Sequence, residues 1–518
     1  MPGYALPDRR REDHMVKIVY SAGLKCLEGY IVQVEADLSD GMPAMDLVGY
    51  LGSEVKEARE RVRTAIKNSG YDMPLKRITL NLAPADIKKY GTGFDLAMAV
   101  GILKTLGVIP DRPTEDAVFL GELNLSGSVC PIRGVLPLVL HAMRAGFKRC
   151  YVPKENAVEA ALVTQMEILP VSSLAELAEH LCTENRIAPI QNSDHAETLE
   201  DETCDLKYVH GQMIAKRGLE IAASGMHNVI LFGEPGSGKS MLSKCIPSIL
   251  PPMTMEEKLE VSSIYSVAGK LTGTAALIGK RPFVSVHHTV TDVALIGGGA
   301  YPRAGLAALA HKGVLFLDEM PEFKRSALEA LRQPLEDRMI RISRNLGNFS
   351  YPADFMLVGA MNPCPCGAYP SASCSCTFVQ RKKYLERLSK PLLDRIDLCI
   401  EVRNPSYEEL NLSSLEEDSA TVAKRVKAAM ERQFCRFSKP RFNSQMDAQE
   451  IRGFCEPDEE GKKIMEKAFE KYRLSARGYH RILKVARTIA DLDEKERIGA
   501  DHLIEAIRFR NADLLKMV

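Results

Sequence analysis

Gly233-Glu-Pro-Gly-Ser-Gly-Lys-Ser240 fits the pattern G-x-x-x-x-G-K-[ST], and its flanks decide how it is read. Asn228-Val-Ile-Leu-Phe232 before it reads as a short buried strand, and Met241-Leu-Ser-Lys-Cys245 after it as the opening of a helix. In that setting Gly233, Glu234, Pro235, Gly236, Ser237 and Gly238 form a loop whose N–H groups converge on phosphate oxygens at a helix N-terminus. Lys239 would reach the β- and γ-phosphates of ATP, and the Ser240 hydroxyl would join the shell of a Mg²⁺ ion. A chance Gly-rich turn would lack the strand and the helix.

A second strand follows about eighty residues on. Gly313-Val-Leu-Phe-Leu-Asp318-Glu319 is an apolar run ending in two acids, as expected where a parallel sheet offers its carboxyl edge to a nucleotide. Asp318 would hold Mg²⁺, and Glu319 would polarise the attacking water. Two acids after a strand can also cap the next helix, so their weight comes from the loop upstream. A third strand, Asp354-Phe-Met-Leu-Val-Gly-Ala-Met361, ends in Asn362, whose amide can orient the same water. Met339-Ile-Arg-Ile-Ser-Arg-Asn345, Leu346-Gly347 and Asn348-Phe-Ser-Tyr351 read as a β-hairpin.

The chain has 518 residues, 45% hydrophobic and 26% charged, enough for two to four domains with large cores. Lys and Arg (68) balance Asp and Glu (68), so contact with nucleic acid must rest on local patches. Neither a signal peptide nor a membrane-spanning run is apparent, and thirteen cysteines is an odd count for a secreted disulfide framework. The expectation is a reducing, cytoplasmic protein with no membrane partner. Four cysteines cluster: Cys364, Cys366, Cys374 and Cys376 could close a tetrahedral Zn²⁺ site, structural because four protein ligands leave no open position. The C-x-C spacing is tighter than the usual knuckle, and four reduced thiols or a redox pair are the alternatives.

Residues 1–14 read as a disordered leader and 15–182 as a mixed α/β domain. Strands are expected at Met15–Tyr20, Ile31–Ala36, Arg77–Leu82 and Val118–Leu125, with helices at Glu54–Asn68 and Phe94–Leu106. The runs Asn81–Asp95 and Gly121–Gly134 make this segment resemble the proteolytic domain of the Lon protease family, which works through a Ser–Lys pair. Thr92 and Gly93 stand in the glycine turn where the serine belongs, and the lysine's place falls near Leu136. Thr92 could be argued as a nucleophile, but no base sits at the matching place, so a protease-inactive scaffold is expected. Residues 183–206 are polar and acidic and read as a linker. A core at 207–402 carries the hairpin and the Cys cluster, and a predominantly helical segment at 403–518 includes helices at Thr421–Arg432 and Glu459–Tyr472.

The phosphate loop, His287-His288, Gly297-Gly-Gly-Ala-Tyr-Pro-Arg303, Leu317-Asp-Glu-Met-Pro-Glu-Phe323 and Met361-Asn-Pro-Cys-Pro-Cys-Gly367 together resemble the magnesium-chelatase-like AAA+ family, and within it the YifB/ComM branch. The likeness runs from Met15 to the C-terminus. It implies a three-layer αβα core with a C-terminal helical lid and a homohexameric ATPase. For the competence-associated members it implies branch migration of recombination intermediates during natural transformation. In that resemblance Asn362 takes the sensor 1 role. Arg395, in Leu388-Ser-Lys-Pro-Leu-Leu-Asp-Arg395-Ile-Asp397, matches the arginine finger that reaches a neighbouring subunit's γ-phosphate, with Arg387 a weaker candidate. Arg477 matches sensor 2, with Arg481 the fallback. Related helicases line a central channel with elements corresponding to the hairpin and the insertion. Arg341, Arg344, Lys280 and Arg281 are therefore the candidate DNA contacts, although each alone is ordinary solvated charge. His287 and His288 read as packing or hydrogen-bonding residues rather than metal ligands. A rival reading is a chaperone-like or chelatase-like ATPase that remodels a protein client.

Overall fold

The computed structural model describes residues 16–183, 186–190, 204–271, 277–299, 303–344, 347–369, 373–405 and 416–510. The expected leader, most of the expected linker, the hairpin turn at Asn345 and Leu346, and Ala300–Pro302 of the glycine-rich insertion lie outside them. The chain divides into two compact units, one drawn from residues 1–198 and 262–278, the other from 199–261 and 279–518. The 207–402 span expected from sequence did not separate out 262–278. In the first unit Ser266 accepts from Gly134 N at 3.2 Å and donates to the buried carboxylate of Glu159.

The first unit is built on a mixed seven-stranded sheet. Its strands are β1 (Lys17–Lys25), β2 (Glu28–Ser39), β3 (Ala44–Val48), β4 (Arg77–Ala83), β5 (Ala117–Phe119), β6 (Arg149–Pro153) and β7 (Glu167–Val171), in the order β3-β4-β2-β1-β5-β6-β7. Period-2 alternation explains β2: Val32, Val34 and Ala36 are wholly buried between more exposed neighbours. Helix α1 (Ser53–Asn68) buries Val55, Ala58, Val62, Ala65 and Ile66, one helical face. Helix α2 (Asp95–Thr105) is apolar nearly all round, and its residues from Asp95 to Lys104 are buried. The strand expected at Val118–Leu125 is shorter than its apolar run. It stops at Phe119 and resumes only as Glu122–Leu123, because the chain bends at Gly121, where a Cβ would come within 2.7 Å of Val129.

In the second unit β8 (Val229–Phe232), β9 (Phe283–Val286), β10 (Val314–Leu317), β13 (Met356–Met361) and β14 (Leu398–Glu401) form a wholly parallel sheet. Their order is β9-β10-β13-β8-β14, so the strand feeding the phosphate loop lies between β13 and β14. Unbroken burial along β8, β10 and β13 accounts for their continuous apolar runs. Strand β13 starts two residues later than its sequence suggests because Asp354 is turned aside: its carboxylate pairs with Lys312 at 2.9 Å and with Arg338.

Between β10 and β13 a two-stranded hairpin, β11 (Met339–Arg344) and β12 (Gly347–Pro352), stands apart from the main sheet. Its register pairs Ile340 with Tyr351 and Ile342 with Phe349, all buried. Arg341 faces Ser350 and Ser343 faces Asn348 on the exposed side.

Helices from the C-terminal segment share one hydrophobic cluster with this sheet. Val422, Val426 and Met430 of α5 (Ser419–Phe437) and Ile482, Val485, Ala486 and Ile489 of α7 (Ala476–Leu492) join Leu398 and Ile400 of β14. Helix α6 (Glu459–Tyr472) lies between those two in sequence, and α8 (Ala500–Arg510) is the last described element.

Candidate nucleotide site and its surroundings

Parallel register brings three chemistries to one edge. Phe232 of β8 pairs with Met361 of β13, and Leu317 of β10 pairs with Gly359. Gly233, Asp318-Glu319 and Asn362 therefore emerge together at the carboxyl ends of neighbouring strands, where open α/β sheets bind ligands. Gly233 N donates to Met361 O at 3.3 Å, tying the loop to the strand that carries Asn362. The loop turns through Gly236 (φ 81°) and Gly238 (φ 89°), left-handed positions that only glycine adopts cheaply. Helix α3 (Lys239–Ile249) begins at the lysine itself. At Gly233 a Cβ would run into the Val402 carbonyl, so that position has no room for a side chain.

The Lys239 ammonium is 9% exposed and donates to Gly233 O at 2.8 Å and Glu234 O at 2.7 Å. Burial lowers its pKa, with Asp318 opposing. Ser240 Oγ donates to Asp318 Oδ2 at 2.9 Å, and Asp318 Oδ1 accepts from Glu319 N at 3.0 Å. A hydroxyl and a carboxylate so close supply the hard oxygen donors that Mg²⁺ prefers, so this pair fits the ion. Glu319 sits at φ 52°, ψ 46°, a left-handed conformation that costs a non-glycine residue about 1 kcal/mol and recurs at functional sites. Its carboxylate is half exposed, and His288 Nδ1 lies 3.5 Å from it. His288 was expected to pack or hydrogen-bond; its place past the end of β9, beside β10, makes it a neighbour of the acid.

The candidate arginines separate into two classes. Arg395 is 8% exposed, pairs with Glu336 of its own chain and donates to Pro391 O at 2.6 Å. A side chain expected to reach a neighbouring subunit is thus tied down within its own. Arg387, half exposed, holds Glu322 at 2.7 Å. Arg477 sits in the first turn of α7, 61% exposed, and its guanidinium reaches the other oxygen of Glu336 at 3.4 Å. Arg481 is not equivalent to it. Arg481 donates to Arg395 O at 3.1 Å and pairs with buried Asp397, which also accepts from Asn228 N at 3.0 Å. That engagement removes Arg481 as a substitute for Arg477. Glu336, bridging two candidate arginines, was missed because no motif marks it in Leu335-Glu-Asp337. Asp397, two residues after Arg395 in the same segment, is 4% exposed.

Among the candidate DNA contacts Arg341, Arg344 and Lys280 are exposed, and Arg341 lies 3.5 Å from Asp337. Arg281 is corrected. It is 6% exposed, donates to Pro251 O at 2.6 Å and Lys312 O at 2.7 Å, and pairs with Glu257 at 3.0 Å, so its guanidinium is engaged inside the fold and not at the surface. The Sγ atoms of Cys364, Cys366, Cys374 and Cys376 all lie within 4.8 Å of one another, a set that could hold a metal ion. In the first unit Thr92 Oγ1 donates to Glu122, while Leu136, at the place of the Lon lysine, is wholly buried. Among the described residues no helix is long and apolar enough to cross a membrane.

Comparison with known proteins adds the following. Residues 205–410 match the family model for magnesium chelatase subunit ChlI, 34–156 that for subunit ChlI of Mg-chelatase, and 416–510 that for the ChlI C-terminal part. The chain is 41% identical to the uncharacterised protein YifB of Salmonella typhimurium over 485 residues, 93% of this chain and 95% of that one. It is 40% identical to competence protein ComM of Haemophilus influenzae over 498 residues, 95% of this chain and 97% of the relative. Lon protease of Azorhizobium caulinodans is 30% identical over 192 residues, covering 35% of this chain and 22% of that protease.

Proposed function

The chain belongs to the magnesium-chelatase-like family that includes YifB and ComM, and on that premise we propose that it is an ATP-hydrolysing AAA+ motor that works on DNA as a homohexamer. The single observation that carries the ATPase half is the Ser240–Asp318 contact at the carboxyl edge of the sheet, beside the buried Lys239. On binding, Lys239 exchanges the carbonyls of Gly233 and Glu234 for phosphate oxygens, while the N–H groups of Gly233–Ser240 close on the β-phosphate. Ser240 and Asp318 would hold Mg²⁺, which would supply positive charge against the phosphate oxygens. Glu319 accepts a proton from a water that attacks γ-phosphorus in line; the bond to the β–γ bridging oxygen breaks, giving ADP and inorganic phosphate. Asn362 orients that water. Arg477 comes from the same subunit's lid, and Arg395 from the next subunit after letting go of Glu336.

The DNA half rests on the exposed Arg341, Arg344 and Lys280 and on likeness to a competence protein. A ring places six copies of each side by side, so few charges per chain neutralise many phosphates. Branch migration of recombination intermediates during natural transformation is the specific activity proposed, in the cytoplasm. The Lon-like α/β unit serves as a protease-inactive scaffold: Leu136 cannot supply a base, and the Thr92 hydroxyl is engaged by Glu122.

Steady-state ATP hydrolysis without DNA, and with single strands, duplex or a four-way junction, tests this reading. Stimulation strongest with branched or single-stranded DNA, and lost in Glu319→Gln and Arg395→Ala, supports the shared-site motor. Turnover indifferent to every DNA refutes the DNA half. It would favour a chelatase-like ATPase that remodels a protein client, the alternative that the magnesium chelatase match supports.

A further inference from the structure

The loop between β13 and α4 (Phe378–Leu385) gathers four of the chain's thirteen cysteines within thirteen residues. Three of the sulfur–sulfur separations are 3.4 Å (Cys364–Cys366), 3.8 Å (Cys364–Cys374) and 3.7 Å (Cys366–Cys374). A disulfide requires about 2.05 Å, so no pair is bonded. Four sulfurs around one zinc at about 2.3 Å stand about 3.8 Å apart along each tetrahedral edge. Two of the three spacings lie at that figure and the third is 0.4 Å shorter. All four residues offer sulfur donors, a soft set suited to zinc, and four of them fill a tetrahedron.

The loop also touches the phosphate loop. A Cβ at Gly367 would come within 2.5 Å of Pro235 Cγ and 3.9 Å of Asn362 Cγ, so the backbone at Gly367 rests on the Pro235 ring. Gly367 N closes a turn onto Cys364 O at 3.0 Å, so the turn that meets Pro235 begins at the first cysteine. At the other end Arg381 donates to Cys376 O at 3.2 Å and stacks on Tyr369 with its guanidinium 4.4 Å from the ring centre. Thr377 starts α4 with a capping box. Both ends of the loop are anchored, and the four thiols close its middle.

We propose that Cys364, Cys366, Cys374 and Cys376 bind one structural zinc ion, which presses the Gly367 turn onto Pro235 and so sets the shape of the nucleotide loop. The coupling to nucleotide rests on the reading of residues 233–240 as an ATP site; the metal site does not. With the metal in place Pro235 and Asn362 share a fixed neighbour. Without it the loop loses the folding energy that a structural zinc supplies, and the phosphate loop loses its buttress.

The test uses full-length purified protein, elemental analysis, and ADP with Mg²⁺ as the nucleotide probe. Expected results are one zinc per chain, loss of zinc in Cys374→Ser/Cys376→Ser, and ADP binding weaker by about tenfold, or roughly 1.4 kcal/mol, in that variant. Cys435→Ser, an exposed cysteine elsewhere, should change neither. In case the double variant fails to fold, zinc is stripped from the wild-type protein with a mercurial and chelator and then restored. Recovery of ADP affinity on adding zinc supports the coupling. Metal-free native protein with all four thiols open to a thiol reagent overturns the site, and iron in place of zinc overturns the metal assigned. Zinc present but ADP affinity unmoved by its removal overturns the buttress. Failure of the zinc-loaded protein to bind ADP at all overturns the nucleotide reading and leaves the zinc site standing.

Discussion

Replacing Arg481 with alanine removes the guanidinium that pairs with Asp397 and donates to the Arg395 carbonyl at 3.1 Å. Burial alone would push the Asp397 carboxyl up, but Arg481 and His227 outweigh it and hold it well below the usual carboxylate range. In the variant this 4%-exposed carboxylate keeps Asn228 N at 3.0 Å and His227 at 3.4 Å, and loses its permanent cation. Breaking a buried pair from one side costs about 3–5 kcal/mol; because Arg481 is itself 22% exposed, the lower end applies, about 3 kcal/mol. At about 2 °C per kcal/mol for a domain this large, the second unit's melting transition should fall by roughly 6 °C. Arg477→Ala removes a 61%-exposed side chain 3.4 Å from Glu336, worth less than about 1 kcal/mol, so its transition should move by no more than about 2 °C. Turnover, by contrast, should drop in Arg477→Ala. Differential scanning calorimetry at one fixed scan rate, beside steady-state ATP hydrolysis, decides it. Equal melting shifts would refute the distinction. An unshifted Arg481→Ala with impaired turnover would reverse the two assignments.

Lys239→Ala should abolish ADP binding, while Glu319→Gln should keep binding and lose about 10²–10⁴-fold in turnover, read by equilibrium binding and single-turnover hydrolysis. Glu336→Gln removes the carboxylate that competes with phosphate for Arg395 and Arg477. Nucleotide affinity should rise by roughly fivefold, about 1 kcal/mol, and unchanged affinity would show that neither arginine reaches the phosphates. Burial raises the Asp95 carboxyl to about 6 despite its pair with Arg61. The fold therefore penalises the charged form: stability is full below the unfolded value of about 3.9 and is lost as pH rises through about 6, a decline of about 3 kcal/mol. Urea titrations at stepped pH should show that decline in the first unit, flattened in Asp95→Asn.

The candidate nucleotide site could be singled out in the sequence because its chemistry is local. Backbone turns, Lys239 and the Ser240 hydroxyl lie within eight residues, and the acids follow a strand whose apolar run is itself a signal. Helix α6 was read to its ends because Met465 and Ala468 mark a face and Asp458 caps it by accepting from Gly461 N at 2.7 Å. Strand β9 escaped notice because it is an edge strand of four residues with only Val286 buried. What the sequence concealed was pairing across distance. Glu336 meets Arg395 and Arg477, fifty-nine and one hundred and forty-one positions away, and no pattern along the chain encodes such a meeting. Arg281 misled for the same reason, since a basic dipeptide looks alike whether its second member is solvated or locked against Glu257.

The hairpin at 339–352 keeps its two jobs on opposite sides. Ile340, Ile342, Phe349 and Tyr351 are buried against the body, while Arg341, Ser343, Asn348 and Ser350 lie on the exposed side. Because strand periodicity assigns alternate residues to each side, the outer set can be rewritten without disturbing the inner one. Relatives can thus diverge in what this face grips while inheriting the same hairpin. An engineer can likewise graft a new recognition surface here by changing every second residue.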